Sequence, residues 1–154
     1  MSAVPTATMT KFGYPRTLVA ETPHWAVLVR PKQPTLGSLV VAARQPATAF
    51  GQLGVDAFAG LQPVVARVEA VLREVVGYER INHLMLMMVD PDVHFHVIPR
   101  YEGSRAFEGV TFPDAGWPGP PALGDAVDPD PAVLDRLIAR LRAAWDAEAT
   151  GTGA

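Results

Sequence analysis

Two histidines stand two residues apart in the segment Asp92-Val93-His94-Phe95-His96-Val97-Ile98-Pro99-Arg100. On an extended strand, alternate residues face the same side, about 6.5–7 Å apart. His94 and His96 therefore share one face, and Val93, Phe95 and Val97 share the other, which the apolar pattern assigns to a core. Asp92 has the parity of the histidines, so its carboxylate joins them if the strand reaches that far. Arg100 follows Pro99 and sets a fixed cation beside the imidazoles. A guanidinium is the side chain best matched to phosphate oxygens. Taken alone, a His-x-His pair also fits two exposed histidines on a half-buried strand. Read as ligands, the same pair with Glu102 would make a His/carboxylate metal site.

The surrounding elements must hold this strand in place. Thr17 to Glu21 and Trp25 to Val29 read as strands around a turn at Thr22-Pro23-His24. A loop containing Pro31 and Pro34 ends at Gly37-Ser38 and leads into a third strand, Leu39 to Ala43; residues 44–54 read as loop. Phe58 to Val76 spaces Leu61, Val64, Val65, Val68, Val71, Leu72 and Val75 on one helical face, with Gly77 at the C-cap. Ile81 to Val89 and Val93 to Ile98 then read as a tight antiparallel hairpin about Asp90-Pro91-Asp92, with Pro99 ending the second strand or marking an edge. Residues 101–130, rich in Gly and Pro, read as a long ordered surface loop. Pro131 to Ala147 forms a last helix with Val133, Leu134, Leu137, Leu141 and Trp145 on one face, capped by Asp128 or Asp130.

Strands, helix, strands, helix is the order of an α+β domain: a mostly antiparallel sheet, one long central helix and a C-terminal helix, with the helices on one side. The expected boundaries are a flexible arm over residues 1–10, a single domain over 11–149 and a disordered tail over 150–154. At 154 residues and 49% hydrophobic content, the chain can bury a sizeable core. Its net charge of -3 and scattered basic residues argue against nucleic acid as a partner. With no cysteine, disulfides, thiolate metal sites and cysteine nucleophiles are excluded. Met1 to Lys11 lacks the pattern of a signal peptide, and no apolar run approaches the ~20 residues of a membrane helix. A cytoplasmic protein with no membrane partner is expected.

Val93-His94-Phe95-His96-Val97-Ile98-Pro99-Arg100 resembles the histidine-triad signature, in which three histidines alternate with apolar residues and the strand often ends in Pro-Arg. Two early strands, Gly37 before a Leu-Val-Val strand, a long helix and then the hairpin follow that superfamily's order, so the resemblance covers residues 12–105. It implies a nucleotide hydrolase or transferase. The middle histidine, here His94, attacks the α-phosphate and forms a nucleotidyl-histidine that water hydrolyses. His96 takes the third position, which positions the phosphate. The substrates implied are dinucleoside polyphosphates or nucleoside phosphoramidates. No cofactor and no metal is implied, and a homodimer is. Phe12, Tyr14, Trp25 and Leu39 are candidates for the wall of a base pocket.

The sequence departs from the signature in places that bear on catalysis. Asp92 stands where the first triad histidine would be; it either supports His94 or is simply a turn residue. Ser38 replaces the histidine that usually follows Gly37, and Pro46 another common histidine. The expected hairpin is short and lacks the family's Gly-Gln-Ser/Thr stretch, whose phosphate donors are each worth ~2.7–4 kcal/mol in a transition state. Ser104, Arg100 and Arg105 are the possible substitutes, and Asn82 reaches the histidine face if Val89 pairs with Val93. His83 falls on the opposite parity and reads as structural, His24 as solvated, and Met85, Met87 and Met88 as core packing. Trp117 reads as a cap on the site or on a dimer interface. These departures leave a nucleotide-binding module with little catalysis, and the His/carboxylate metal protein, as the alternatives.

Overall fold

The computed structural model describes residues 4–151. Its elements in order are α1 (Ala7–Lys11), β1 (Leu18–Glu21), β2 (Trp25–Val29), β3 (Leu39–Ala43), α2 (Val55–Val76), β4 (Arg80–Leu84), β5 (His94–Arg100), β6 (Ser104–Phe107), β7 (Val110–Pro113) and α3 (Pro131–Gly151). Five strands form one antiparallel sheet in the order β1-β2-β3-β5-β4, and β6 and β7 form a separate hairpin. The α+β class and the mostly antiparallel sheet are as the sequence predicts.

The core lies between the sheet and α2 and α3. Val64, Val68, Val71, Leu72 and Val76 of α2 and Leu134, Leu137, Leu141 and Trp145 of α3 are buried there, against Trp25, Val27, Leu39, Val41, Phe95 and Val97 from the strands. All these strand residues are odd-numbered, as period-2 alternation requires. The even-numbered Ala26, Leu28, Val40 and Ala42 form a smaller cluster on the other face with Met9 and, partly buried, Phe12, Tyr14 and Leu18. Two glycines permit the packing. Gly77 closes α2 in the left-handed region at φ 66°, and Gly37 turns at φ 84°, where an added Cβ would lie 2.8 Å from Val76 Cγ2.

The structure corrects several sequence expectations. The flexible arm does not hold from Thr6 onward. Thr6 caps α1 by accepting from Met9 N, and Thr8 and Met9 are buried. Residues 1–3 of that arm, and 152–154 of the expected tail, lie outside the described residues. Residues 150 and 151 of that tail continue α3. The presumed surface loop 101–130 contains the β6–β7 hairpin and buries Tyr101, Phe112 and Asp114.

The largest correction concerns the hairpin before the histidines. β4 stops at Leu84, and residues 85–93 form a loop in which Met87 adopts φ 50°. Val93 does not pair with Val89. Its N–H donates to Ala47 O at 2.8 Å, and its carbonyl accepts from Ala43 N at 2.9 Å. Those bonds commit Val93 to the β3 side and leave no tight turn. Met88 and Val89 are exposed, so Met88 is not core packing, while Met85 and Met87 pack partly against the core.

Candidate active site

β5 carries the site because its two faces serve two purposes. Phe95 and Val97 enter the helix-side core, and His94 and His96 face the other way, opposite Ala42 and Val40 of β3. The imidazole centroids are 5.3 Å apart with ring planes at 80°. Phe12, just after α1, lies against both, with centroid distances of 6.0 Å to His94 and 5.8 Å to His96. Both histidines are largely buried beneath it.

His94 Nδ1 lies 2.7 Å from the backbone oxygen of Asp92. A carbonyl oxygen only accepts, so Nδ1 carries the hydrogen, and in the neutral ring Nε2 keeps the lone pair. The Asp92 side chain points elsewhere. Its Oδ2 accepts from Thr8 N at 3.3 Å and Thr8 Oγ1 at 3.2 Å, tying the loop to the first turn of α1. Lys11 adds a second tie, with Nζ 2.8 Å from Asp90 Oδ2.

His96 has a different environment. Burial first, then the Arg30 guanidinium and His94, push its pKa down from 6.5 to about 4, against a weaker opposing pull from Asp90. It is therefore neutral at neutral pH. Its Nδ1 is buried without a hydrogen-bond partner, as is Nη1 of Arg30. Burial also lowers the pKa of Arg30 from its usual value.

These side chains line an open cleft of about 260 Å³ with Lys11, Phe12, Asp90 and the apolar loop residues Leu86, Met87, Met88 and Val89. Larger hollows of about 410 and 460 Å³ lie beside Trp145 and beside Trp117, but neither is lined by a histidine. Chemistry rather than size distinguishes the smaller cleft.

Of the residues expected from sequence, His94, His96 and Phe12 come together here. Asp92 adjoins them through its backbone oxygen rather than its carboxylate. Asn82 keeps the histidine face, because the observed register, Leu84 with His96, differs from the expected one by an even step. It does not reach the cleft, however; its Oδ1 accepts from Arg100 Nη1 at 2.8 Å.

Arg100 is not beside the imidazoles. It lies buried at the other end of β5, where Nε is 2.7 Å and Nη2 3.1 Å from the carboxylate of Asp114. Ser38 shares the face by parity, but its hydroxyl is held in the preceding turn, donating to Thr35 O at 2.9 Å. Ser104 is exposed on β6, and Arg105 caps the C-terminus of α2 through Val76 O and Gly77 O. Trp25 and Leu39 belong to the opposite, helix-side core, and Trp25 Nε1 donates to Ala57 O at 2.8 Å. Odd parity removes both from a base pocket.

Trp117 lines the hollow beside Arg80 and Arg100 rather than capping the histidines. His83 does sit on the helix side, 3.3 Å from Glu69 Oε2. His24 is half-buried rather than solvated, with its ring near Gly60. Glu102, the carboxylate of the metal reading, follows the far end of β5, and its N–H donates to Glu79 Oε1. Among the described residues no three His, Asp or Glu side chains gather as a metal site.

Arg30 and Lys11 are the cations that the sequence reading missed. Arg30 continues the even-numbered face of Ala26 and Leu28 just past β2. That parity was a usable signal, masked by the loop-like Pro31 that follows.

The fold as a whole matches solved structures over most of the chain. A histidine triad protein from Bradyrhizobium japonicum superposes with a TM-score of 0.71 at 22% identity, covering 93% of this chain and 98% of that one. The chain has the histidine-triad fold. A hypothetical histidine triad nucleotide-binding protein from Sulfolobus tokodaii gives 0.65 at 19% identity over 85% and 84% of the two chains. A zinc-bound histidine triad family protein from Mycobacterium smegmatis gives 0.66 at 17% identity over 94% of each. No protein-family model and no curated protein matches the sequence. No helix among the described residues is long and apolar enough to cross a membrane.

Proposed function

We propose that this protein binds a nucleotide through its phosphate and acts as a hydrolase or transferase, with His94 as the nucleophile and His96 positioning the phosphate. The observation that carries this reading is the bond from His94 Nδ1 to Asp92 O, which in the neutral ring leaves Nε2 as the free nitrogen, beside the neutral imidazole of His96. The name of the Sulfolobus tokodaii neighbour, nucleotide-binding, supports the ligand class.

In the proposed step, Nε2 attacks the α-phosphorus and the bond to the leaving group breaks. The electron pair departs with that group, which takes up a proton. Water then attacks the adduct, the phosphorus–Nε2 bond breaks, and its pair returns to His94 as the nucleoside monophosphate leaves. Dinucleoside polyphosphates and nucleoside phosphoramidates are the substrate classes that go with this reading. A homodimer and a cytoplasmic location go with it as further proposals.

The test is to mix the protein with adenosine phosphoramidate or a diadenosine polyphosphate, quench in alkali and measure intact mass. A nucleotidyl adduct that disappears in His94→Ala is expected. Absence of both adduct and turnover with every such substrate overturns the enzymatic reading.

A second reading, a nucleotide-binding module without efficient turnover, is favoured by one observation. The carboxylate at the first triad position is spent on Thr8, so no side chain there is free to pass a proton to a leaving group. Calorimetry with AMP or GMP beside a hydrolysis assay separates the two, and binding without turnover selects the module.

A further inference from the structure

We propose that the cleft takes a ligand with two anionic groups, one at His94 and His96 and the second on Arg30, which makes Arg30 a specificity-determining residue. This rests on the nucleotide reading above and narrows its ligand to a nucleotide carrying a second phosphate.

The sheet register sets the spacing. His94 pairs with Ala42, which pairs with Ala26; His96 pairs with Val40, which pairs with Leu28. Arg30 N–H donates to Ser38 O at 3.0 Å and so extends the β2–β3 ladder by one more step. Arg30 therefore stands a row beyond His96, on the side away from His94. Rows of alternate residues are about 6.5–7 Å apart, and neighbouring strands about 4.8 Å. A single phosphoryl group at His94 Nε2 that also touches His96 is committed to the first two rows. Arg30 is placed for the next group along the ligand.

Its electrostatics agree. The cleft's other charges are already matched. Lys11 pairs with Asp90, and the Asp92 carboxylate accepts from Thr8. No ion pair among the described residues involves Arg30, and its Nη1 is buried without a partner while Arg30 lines the cleft. A desolvated guanidinium is retained where an anion compensates it. The position is also rigid. Gln33 Nε2 donates to Arg30 O at 2.7 Å and to Ser38 O at 2.9 Å, which fixes the corner between β2 and β3 before any ligand binds.

The second phosphate has two possible sources: the next phosphate of a chain, as in a nucleoside diphosphate, or a phosphate on the sugar, as in a nucleoside 3′,5′-bisphosphate. Calorimetry on the full chain compares the 5′-monophosphate, 5′-diphosphate and 3′,5′-bisphosphate in the adenine and guanine series, for wild type, Arg30→Gln and Arg30→Lys. One charge-assisted contact predicts that a doubly phosphorylated ligand binds wild type about tenfold or more tightly than the monophosphate. That advantage disappears in Arg30→Gln and survives in part in Arg30→Lys, and monophosphate affinity falls by less than the affinity for the doubly phosphorylated ligands. A preference for the diphosphate assigns the second group to the chain; a preference for the bisphosphate assigns it to the sugar. Equal affinity of wild type for one and two phosphates overturns the inference alone. So does a loss of monophosphate binding in Arg30→Gln as large as the loss for the doubly phosphorylated ligands. Binding of none of the ligands overturns the nucleotide reading and this inference with it.

Discussion

The imidazole of His94 is held by the backbone of Asp92 and not by its carboxylate: Nδ1 donates to the Asp92 oxygen at 2.7 Å, while Oδ2 of the same residue accepts from Thr8. A main-chain oxygen survives any substitution. The tautomer that leaves Nε2 free is therefore independent of which residue occupies position 92.

Asp92→Ala separates the two roles. It removes the ties to Thr8 while leaving the bond to His94 Nδ1. Loss of two part-buried hydrogen bonds predicts a stability decrease of about 1–2 kcal/mol by urea denaturation. Hydrogen exchange at residues 8–12 accelerates, because Thr8 loses its tie to the loop, although the burial of Met9 and the Lys11–Asp90 pair still hold α1. Any His94-dependent turnover stays within about tenfold of wild type, since the orientation of the His94 ring is unchanged. Complete loss of turnover in a folded Asp92→Ala protein would show that the carboxylate itself takes part in the chemistry.

Arg100→Met tests the reassignment of the Pro-Arg end of the strand. Arg100 and Asp114 form a buried bidentate pair, with side chains 5% and 1% exposed. Removing one partner leaves a buried carboxylate uncompensated, at a cost of about 3–5 kcal/mol. Tyr101 N, 3.1 Å from Asp114 Oδ2, offsets only part of that cost. Denaturant titration is expected to show this loss, and AMP affinity measured under native conditions is expected to be unchanged. A large loss of AMP affinity with little loss of stability would return Arg100 to the site.

The contrast between Arg100 and Arg30 shows what a sequence can and cannot convey here. Parity along one strand is local, so the shared face of His94 and His96 and the inward set Val93, Phe95 and Val97 could be read directly. Val93, Phe95 and Val97 are buried as expected, whereas the histidines, read as facing outward, are buried as well. Likewise α2 and α3 announce themselves by periodicity. Contacts across the sheet are non-local. Arg100 looked like the site's cation because it adjoins the histidines in sequence, yet its partner Asp114 lies in a stretch whose Gly and Pro content hides the β6–β7 hairpin. Arg30 comes to the cleft only because β3 sits between β2 and β5, an order that no local pattern encodes. The loop 85–93 misled for the opposite reason: its apolar run imitates a strand, but those side chains line the cleft mouth.

Gly37→Ala probes the corner that sets this sheet order. The residue has φ 84°, and an added Cβ would meet Val76 Cγ2 at 2.8 Å and Leu72 Cδ2 at 3.0 Å. A left-handed conformation costs a residue with a Cβ about 1–2 kcal/mol. Overpacking against the end of α2 adds about 1–3 kcal/mol. A thermal or denaturant midpoint well below wild type is expected, and a neutral result would mean that the corner adopts another conformation in solution.

The last prediction concerns acid. Because His96 has its pKa lowered from 6.5 to about 4, the unfolded chain takes up that proton first as pH falls. By linkage, the stability carried by the neutral imidazole is fully present above 6.5 and is lost progressively as pH falls towards 4. Urea midpoints for wild type should therefore decline across this window more steeply than those of His96→Gln, in which the titrating group is gone. A bound phosphate changes the sign of the nearby field. It favours the imidazolium and opposes the combined effect of burial and Arg30, so with saturating AMP the decline is expected to flatten. Parallel pH profiles for wild type and His96→Gln would show that His96 titrates normally in the folded protein. An acid-induced decline that AMP leaves untouched would show that the phosphate does not sit beside His96.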